Sequence, residues 1–249
     1  MFEVFNDIEF FEGPHKYKFT KFPDIDPVSV TGIIGKYKEP FNSEYWSKRK
    51  ADSLGIPQSA ILKQWDDNKN LACDKGTLCH YYLETFYGNK QFEIADNLSR
   101  ADVLKAFETT KPKMKQFIQD NLKVYRPVVS ELIVGCPELQ ITGMIDQVFE
   151  EIETGDLYIF DWKTNKAINS SSRYMMIGAM SHLDACEMNT YSLQLGLYKH
   201  IIEKRTGLKI KGCKLVHFPI KGEDYVIYNI KDLTKEVDSI VKEHIDSLR

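Results

Sequence analysis

Asp161 and Lys163 are two residues apart in the run Leu157-Tyr158-Ile159-Phe160-Asp161-Trp162-Lys163. The β-branched and aromatic content of that run reads as a strand, so both side chains share one face and Trp162 takes the other. An acid and a base at the end of an apolar strand are costly to bury without partners. A second carboxylate, Asp146, lies in the apolar run of the preceding strand. Across an antiparallel turn it comes beside Asp161. Two carboxylates that close repel unless a cation sits between them, and carboxylate oxygens suit Mg²⁺ or Mn²⁺. Lys163 can then orient or deprotonate a water, or stabilise charge on a phosphate. Asp-x-Lys alone also describes a surface ion pair on an edge strand. Asp146, three residues after Gly143, sets this instance apart.

Two helices carry further candidates. Gly76, His80 and Glu84 recur every fourth residue and share a helix face. A neutral imidazole is a ligand for Mn²⁺-type cations beside carboxylates, and equally a core or surface histidine. Glu84 can orient His80 or a water, or be an exposed helical glutamate. Gln194 and Tyr198 stack one turn apart. They can hydrogen-bond the surroundings of Lys163 or hold a phosphate and sugar. Alternatively, Tyr191, Leu195 and Tyr198 form the packed stripe of that helix.

The elements that must position these residues follow from pattern. Strands over 8–11 and 17–19 flank the turn Gly13-Pro14. A short strand at 28–30 runs into Thr31, an N-cap for a helix over 32–37. Ser43 caps a helix that ends near Gly55. Helical periodicity covers 59–87, with a break expected near Asn68 to Asn70, and Gly88-Asn89 ends it. Another helix fits 99–122, where Pro112 marks a kink or boundary. Segments 124–134, 139–149 and 157–163 read as a three-stranded meander. Residues 165–188 carry no clear period, and a loop of that length is usually functional or mobile. A helix over 189–206 closes at Gly207. A hairpin over 215–219 and 225–230 turns at Lys221-Gly222-Glu223-Asp224, before an amphipathic helix over 231–248. The order predicts an α/β (α+β) domain with a central mixed sheet flanked by helices.

Composition narrows the class. With 43% hydrophobic residues and a net charge of −3, the chain of 249 residues is neither disordered nor a charge-driven nucleic-acid binder. Positive charge can still be local. Five cysteines with no C-x-x-C give no disulfide framework. No run approaches the roughly 20 apolar residues of a membrane span, and the acidic stretch from Met1 to Asp7 is not expected to act as a signal peptide. A cytoplasmic setting with reduced thiols and no membrane is the expectation.

Gly143-Met144-Ile145-Asp146, followed by Asp161-Trp162-Lys163-Thr164, resembles the core of the PD-(D/E)xK nuclease superfamily. It is closest in form to the RecB-like, phage-type exonuclease branch, with G-x-x-D and D-[YW]-K-T. Upstream, Gly76-Thr77-Leu78-Cys79-His80 and Glu84 resemble that branch's G-T-x-x-H-x-x-x-E helix. Downstream, Gln194 to Tyr198 resemble its Q-x-x-x-Y helix. Together the four matches span about half the chain.

The resemblance implies a restriction-endonuclease-like core in one nuclease domain over 1–249. Residues 1–123 would hold the N-terminal hairpin and helical additions, and 124–249 the catalytic sheet. It implies a metal-dependent DNA exonuclease in phage or bacterial recombination, repair or replication, acting in bacterial or phage-infected cytosol. Asp146 and Asp161 would hold one or two Mg²⁺ or Mn²⁺ ions, aided by His80 and the Trp162 carbonyl, and Lys163 would position the attacking water. Glu131, in the first meander strand, would assist a second metal or its water, unless it faces solvent. Thr77, Glu84, Thr164, Gln194, Tyr198 and Arg173 would meet substrate. Lys48, Arg49 and Lys50, and Lys111, Lys113 and Lys115, with Tyr45, Trp46 and Phe117 nearby, can track a DNA backbone or be solvated helix faces. Lys166, Arg173 and Tyr174 are placed to meet a strand end. DNA, single-stranded or as duplex ends, is the expected partner, with a single-strand-binding or recombination protein a further one. The clustered C-terminal cysteines of iron–sulfur relatives are missing, so no cluster is expected. With no G-x-x-x-x-G-K-[ST], no nucleotide cofactor is expected either. A structure-specific or RNA-cleaving endonuclease, and a catalytically silent DNA-binding module, remain the alternatives on this scaffold.

Overall fold

Successive side chains of β6 (Leu157–Lys163), buried at most positions, point to opposite faces and so are sorted onto two cores. Ile159 joins one cluster of buried side chains, while Phe160 and Trp162 join the other. The sheet is therefore packed on both faces, as its near-continuous burial requires. The computed structural model describes residues 1–11, 13–14, 16–220, 222 and 224–249.

The chain opens with a hairpin of β1 (Ile8–Phe11) and β2 (Lys16–Phe19). Then come β3 (Val28–Ser29), α1 (Val30–Gly35), α2 (Ser43–Leu54), α3 (Gln58–Tyr87) and α4 (Ala101–Asn121). The meander is β4 (Tyr125–Cys136), β5 (Ile141–Glu151) and β6, antiparallel throughout. α5 (Glu187–Thr206) crosses over to β7 (Ile210–His217), which pairs parallel with β6; β8 (Val226–Asn229) and α6 (Thr234–Ser247) follow. β3 adds a short parallel pairing to the start of β5. The result is the mixed α/β sheet flanked by helices, with an N-terminal hairpin, that the residue pattern predicts.

α1, α5, α6 and the hairpin cover one face. α3 and α4 cover the other, over an aromatic cluster centred on Trp162, with Phe117 edge-on at 5.4 Å and Phe149 and Phe218 beside it. Trp162 is fully buried there. Truncating such a side chain costs about 3–5 kcal/mol, so the strand that carries Asp161 and Lys163 is anchored from its opposite face.

Several local expectations are corrected. α3 runs unbroken through Asn68 to Asn70. Asparagine lowers helix propensity by only about 0.7 kcal/mol, and Asn70 donates to the Asp66 carboxylate one turn back at 3.3 Å. α4 likewise passes through Pro112, because Phe107 before it and Met114, Phe117 and Ile118 after it are held in one core. The cap of α1 is Ser29, whose Oγ accepts from the Gly32 N–H, and Thr31 lies inside the helix. The cap of α2 is Asn42, accepting from the Tyr45 N–H at 2.9 Å, not Ser43. Asn42→Ala should therefore lower stability by about 1 kcal/mol and Ser43→Ala by much less, read from urea midpoints.

β7 starts at Ile210, five residues before the expected strand. Lys211 and Lys214 hide it, yet Lys214 places its ammonium among the rings of Tyr125, Tyr158 and Phe160 and donates to the Tyr125 hydroxyl at 2.7 Å. Of the expected turn after β7, Lys221 and Glu223 lie outside the described residues. Lys113 and Phe117 do not belong to a basic, solvated face. Phe117 is core, and Lys113 is buried with its ammonium donating to the Pro219 carbonyl. No helix among the described residues is long and apolar enough to cross a membrane.

Candidate active site

The pairing of β5 with β6 ends at Gln147↔Phe160. One residue further along both strands, Asp146 and Asp161 stand opposite in register, where the ladder has stopped. The Trp162 N–H donates to the Asp146 carboxylate at 2.7 Å. That side-chain acceptor takes the place of a strand partner, so Asp146 is fixed by the same divergence that opens the cleft.

His80 reaches this point from α3. Its Nδ1 lies 3.4 Å from Asp146 Oδ1, and its Nε2 lies 3.1 Å from the Trp162 carbonyl oxygen. Both ring nitrogens face acceptors, which suits the imidazolium form. Burial alone would strip the ring of its proton, but Asp146 reverses that and raises the His80 pKa to about 9. Asp146 is held below its ordinary value: burial opposes ionisation, and His80, Lys163 and the Trp162 N–H together outweigh it.

Glu131 enters from β4, between Ser130 and Leu132, whose partners on β5 are Gln147 and Ile145. It is therefore opposite Asp146. Its φ is +50°, a left-handed conformation that costs a non-glycine residue about 1–3 kcal/mol and is typically found at functional sites. Burial, with the Asp146 charge added to it, pushes its carboxyl up to about 8. His80, Glu131 and Asp146 each offer a ligand atom within 4.8 Å of the others, the one such group among the described residues.

Asp161 and Lys163 form the second half of the site. Asp161 is buried and ion-paired with the Lys163 ammonium. Burial pushes the carboxyl up to about 6 against the pull of Lys163. The Lys163 ammonium is held above its ordinary value: burial disfavours its charge, and Asp161 and Asp146 outweigh that. From α5, the Gln194 side-chain amide is 3.4 Å from Asp161 Oδ1 and 3.2 Å from the Tyr198 hydroxyl. Burial keeps the Tyr198 phenol protonated.

The Tyr198 ring also explains Gly143. A Cβ on Gly143 would come within 2.6 Å of Tyr198 Cε1. The glycine of one motif is thus the seat of the tyrosine of another. Gly143→Ala should cost about 1–3 kcal/mol by overpacking and displace Tyr198, visible as a lowered Tm.

The remaining residues sit at varying distance. Thr164 follows Lys163, and its Oγ1 lies 3.5 Å from where a Cβ on Gly76 would be. Glu84 is ion-paired with Lys90 at 3.0 Å, and its charge contributes to the raised Glu131 pKa. Thr77 is exposed on α3, and Arg173 is exposed in the segment after β6, stacked on Tyr174. Among the described residues no hydrogen bond or ion pair links either one to the carboxylates.

Three further residues contribute: Tyr191, expected only in the packed stripe of its helix, and Lys75 and His217. Tyr191 holds its ring 4.5 Å from the Lys163 ammonium, a cation–π contact. It lies one turn before Gln194, on the face shared with Tyr198, which was a usable signal. Lys75 is buried and donates to the Thr164 carbonyl at 2.5 Å, while His217 Nε2 is 2.8 Å from the Asn165 carbonyl. These pin the chain as it leaves β6, and nothing in their residue types announces it.

Chemically, one imidazole and two carboxylates, His80, Glu131 and Asp146, bring their ligand atoms together, with the Asp161–Lys163 ion pair alongside. Oxygen donors with one nitrogen suit a hard or borderline divalent cation. The metal-free group carries protons on His80 and Glu131 near neutral pH, and a divalent cation brings the charge of the two protons it displaces. The residues therefore fit such an ion.

No curated protein matches the chain. Twenty-four solved chains do. One of them, "Crystal structure of SSO0001", aligns over 61% of this chain and 61% of its own, at 14% identity and a TM-score of 0.29. The family model of the PD-(D/E)XK nuclease superfamily matches residues 53–249, a span that includes His80, the meander, and Gln194 to Tyr198. With its central mixed sheet and the two aspartates and lysine at the diverging strand ends, the chain belongs to the PD-(D/E)XK nuclease superfamily.

Proposed function

We propose that the protein is a divalent-cation-dependent deoxyribonuclease that hydrolyses phosphodiester bonds from DNA ends, and that it belongs to the RecB-like, phage-type exonuclease branch. The observation that carries this is the meeting of all four motifs in one cleft: Asp146, Asp161 with Lys163, His80, and Gln194 with Tyr198. Helices on both faces pack on one sheet, which supports reading 1–249 as a single nuclease domain. Recombination, repair or replication in a phage or bacterial cytosol is the setting this activity suits.

Asp146, His80 and Glu131, with Asp161 and the Trp162 carbonyl alongside, would hold Mg²⁺ or Mn²⁺. When bound, the ion polarises the scissile phosphate and lowers the pKa of a water. Lys163, steered by Asp161 and Tyr191, orients the attacking water or meets the charge that develops on the phosphate. By the chain's resemblance to the RecB-like branch, Glu131 would assist a second metal or its water. Gln194 and Tyr198 act as positioning residues through Asp161. Among the described residues no activated side-chain nucleophile stands in the cleft, so water attacks directly; the same resemblance implies that the products carry a 5′-phosphate.

The test is cleavage of end-labelled DNA, linear and circular, single- and double-stranded, with Mg²⁺, Mn²⁺ or EDTA. Metal-dependent loss of linear DNA only is expected. Efficient cleavage of circles would replace the exonuclease with an endonuclease, and inert DNA in every form would overturn the reading.

A further inference from the structure

The segment after β6, the start of α5 and the residues leading into α2 line a cavity of about 690 Å³. Tyr191, the residue stacked on Lys163, lines its inner end. Phe41, Trp46, Arg173 and Tyr174 line it too, and the same four line a second cavity of about 750 Å³ further out. The two spaces thus share a wall and form one groove that leads away from Lys163. The outer part is completed by Trp65, Arg49 and Lys50, and no carboxylate is among its described lining residues. The inner part mixes Lys38 and Arg173 with Glu39 and Glu187.

The rings of the outer groove are unusually available. Phe41 is 68% exposed and Tyr174 54% exposed, and Trp46 and Trp65 are half-buried. Phe41 and Trp65 are 5.7 Å apart at a tilt of 54°, so they do not close on each other as a stacked pair. Cations sit beside the rings: Arg49 at 5.7 Å from Trp46, Lys50 at 5.9 Å from Trp65, and Arg173 at 4.9 Å from Tyr174. Two of the protein's three tryptophans are here; the third, Trp162, is core.

We propose that this groove binds an unpaired DNA strand, with bases stacked on Phe41, Trp46 and Trp65 and phosphates on Arg49, Lys50 and Arg173, and delivers it past Tyr191 to Lys163. The charge and the rings together select this occupant. A duplex offers phosphates to cations but keeps its base faces stacked internally, so exposed rings gain nothing from it. An unpaired strand offers both, and each base–ring stack is worth a substantial share of affinity. The inference rests on the nuclease reading for its destination, but not for its binding surface. It turns the protein's preference toward single strands and frayed ends.

The test separates binding from chemistry. A short labelled oligonucleotide, single-stranded and as a blunt duplex, is titrated in EDTA and read by anisotropy and by quenching of tryptophan fluorescence. The wild type, Phe41→Ala, Trp65→Ala and Lys50→Ala are compared. The exposed Phe41 provides a variant that leaves the core untouched. Tighter binding of the single strand, weakened about fivefold or more by each ring substitution, is expected. Lys50→Ala should reduce the salt dependence by about one phosphate contact. Full single-strand affinity in both ring variants, or tighter binding of the duplex, would overturn the groove and leave the nuclease reading intact. Ring-dependent binding without hydrolysis of any DNA would sink the nuclease reading and leave the groove.

Discussion

Lys163→Ala should lower metal-dependent DNA hydrolysis by about 10³-fold or more while the chain stays folded. Removing a fixed charge or proton-transfer group that acts on the transition state costs roughly 10²–10⁴ in rate. Lys163 is fixed from three directions: Asp161 pairs with it, Asp146 adds its charge, and Tyr191 covers it at 4.5 Å. Breaking a buried ion pair usually costs about 3–5 kcal/mol by stranding the other charge. Here the carboxyl left behind, already pushed up to about 6 by burial, has an escape: it takes up a proton. The fold should therefore survive, with a lowered Tm that recovers as pH falls toward 5. Asp146→Asn should cause a similar loss of activity for a different reason, because it weakens the cation site. Substrate binding in EDTA should persist in Lys163→Ala. Activity within a few-fold of wild type would remove Lys163 from the chemistry.

The second large effect is on protons. In the metal-free site His80, raised to about 9, and Glu131, raised to about 8, both hold protons at pH 7. Coordination requires a neutral imidazole and an ionised carboxylate. Metal binding should therefore release about two protons at pH 7, and fewer above pH 8 as Glu131 ionises unaided. Apparent affinity should climb steeply from pH 6 to 8 and level off above pH 9. Calorimetry with Mn²⁺ in buffers of different ionisation heat measures the count directly. His80→Gln should remove about one proton from it. Affinity independent of pH, with no proton release, would mean that these two groups do not ligate.

The chemistry of this chain was more legible than its joints. Asp161 and Lys163 were readable because strand periodicity puts i and i+2 on one face. His80 with Gly76, and Gln194 with Tyr198, were readable because helical spacing does the same. Each of those signals lives within one element. What could not be read lives between elements. That Gly143 seats the Tyr198 ring depends on how α5 lies on β5. That Lys75 is buried against the Thr164 carbonyl depends on where α3 crosses the end of β6. Glu131 could be indicated only by family resemblance, since its left-handed backbone is enforced by the strands around it. The unbroken α3 and the passage of α4 through Pro112 show tertiary packing overriding local propensity, and the lysine-rich β7 shows it overriding composition. The caps at Ser29 and Asn42 were missed by one or two residues, the usual scatter of helix ends.

The central claim is that the Asp146–Asp161 gap is a divalent-cation site beside Lys163. Anomalous diffraction from crystals soaked in Mn²⁺ tests it most directly. A peak enclosed by Asp146, Asp161, Glu131 and His80 is the predicted result. A well-ordered site with its side chains in place and no anomalous density, at Mn²⁺ levels that support hydrolysis, would contradict it.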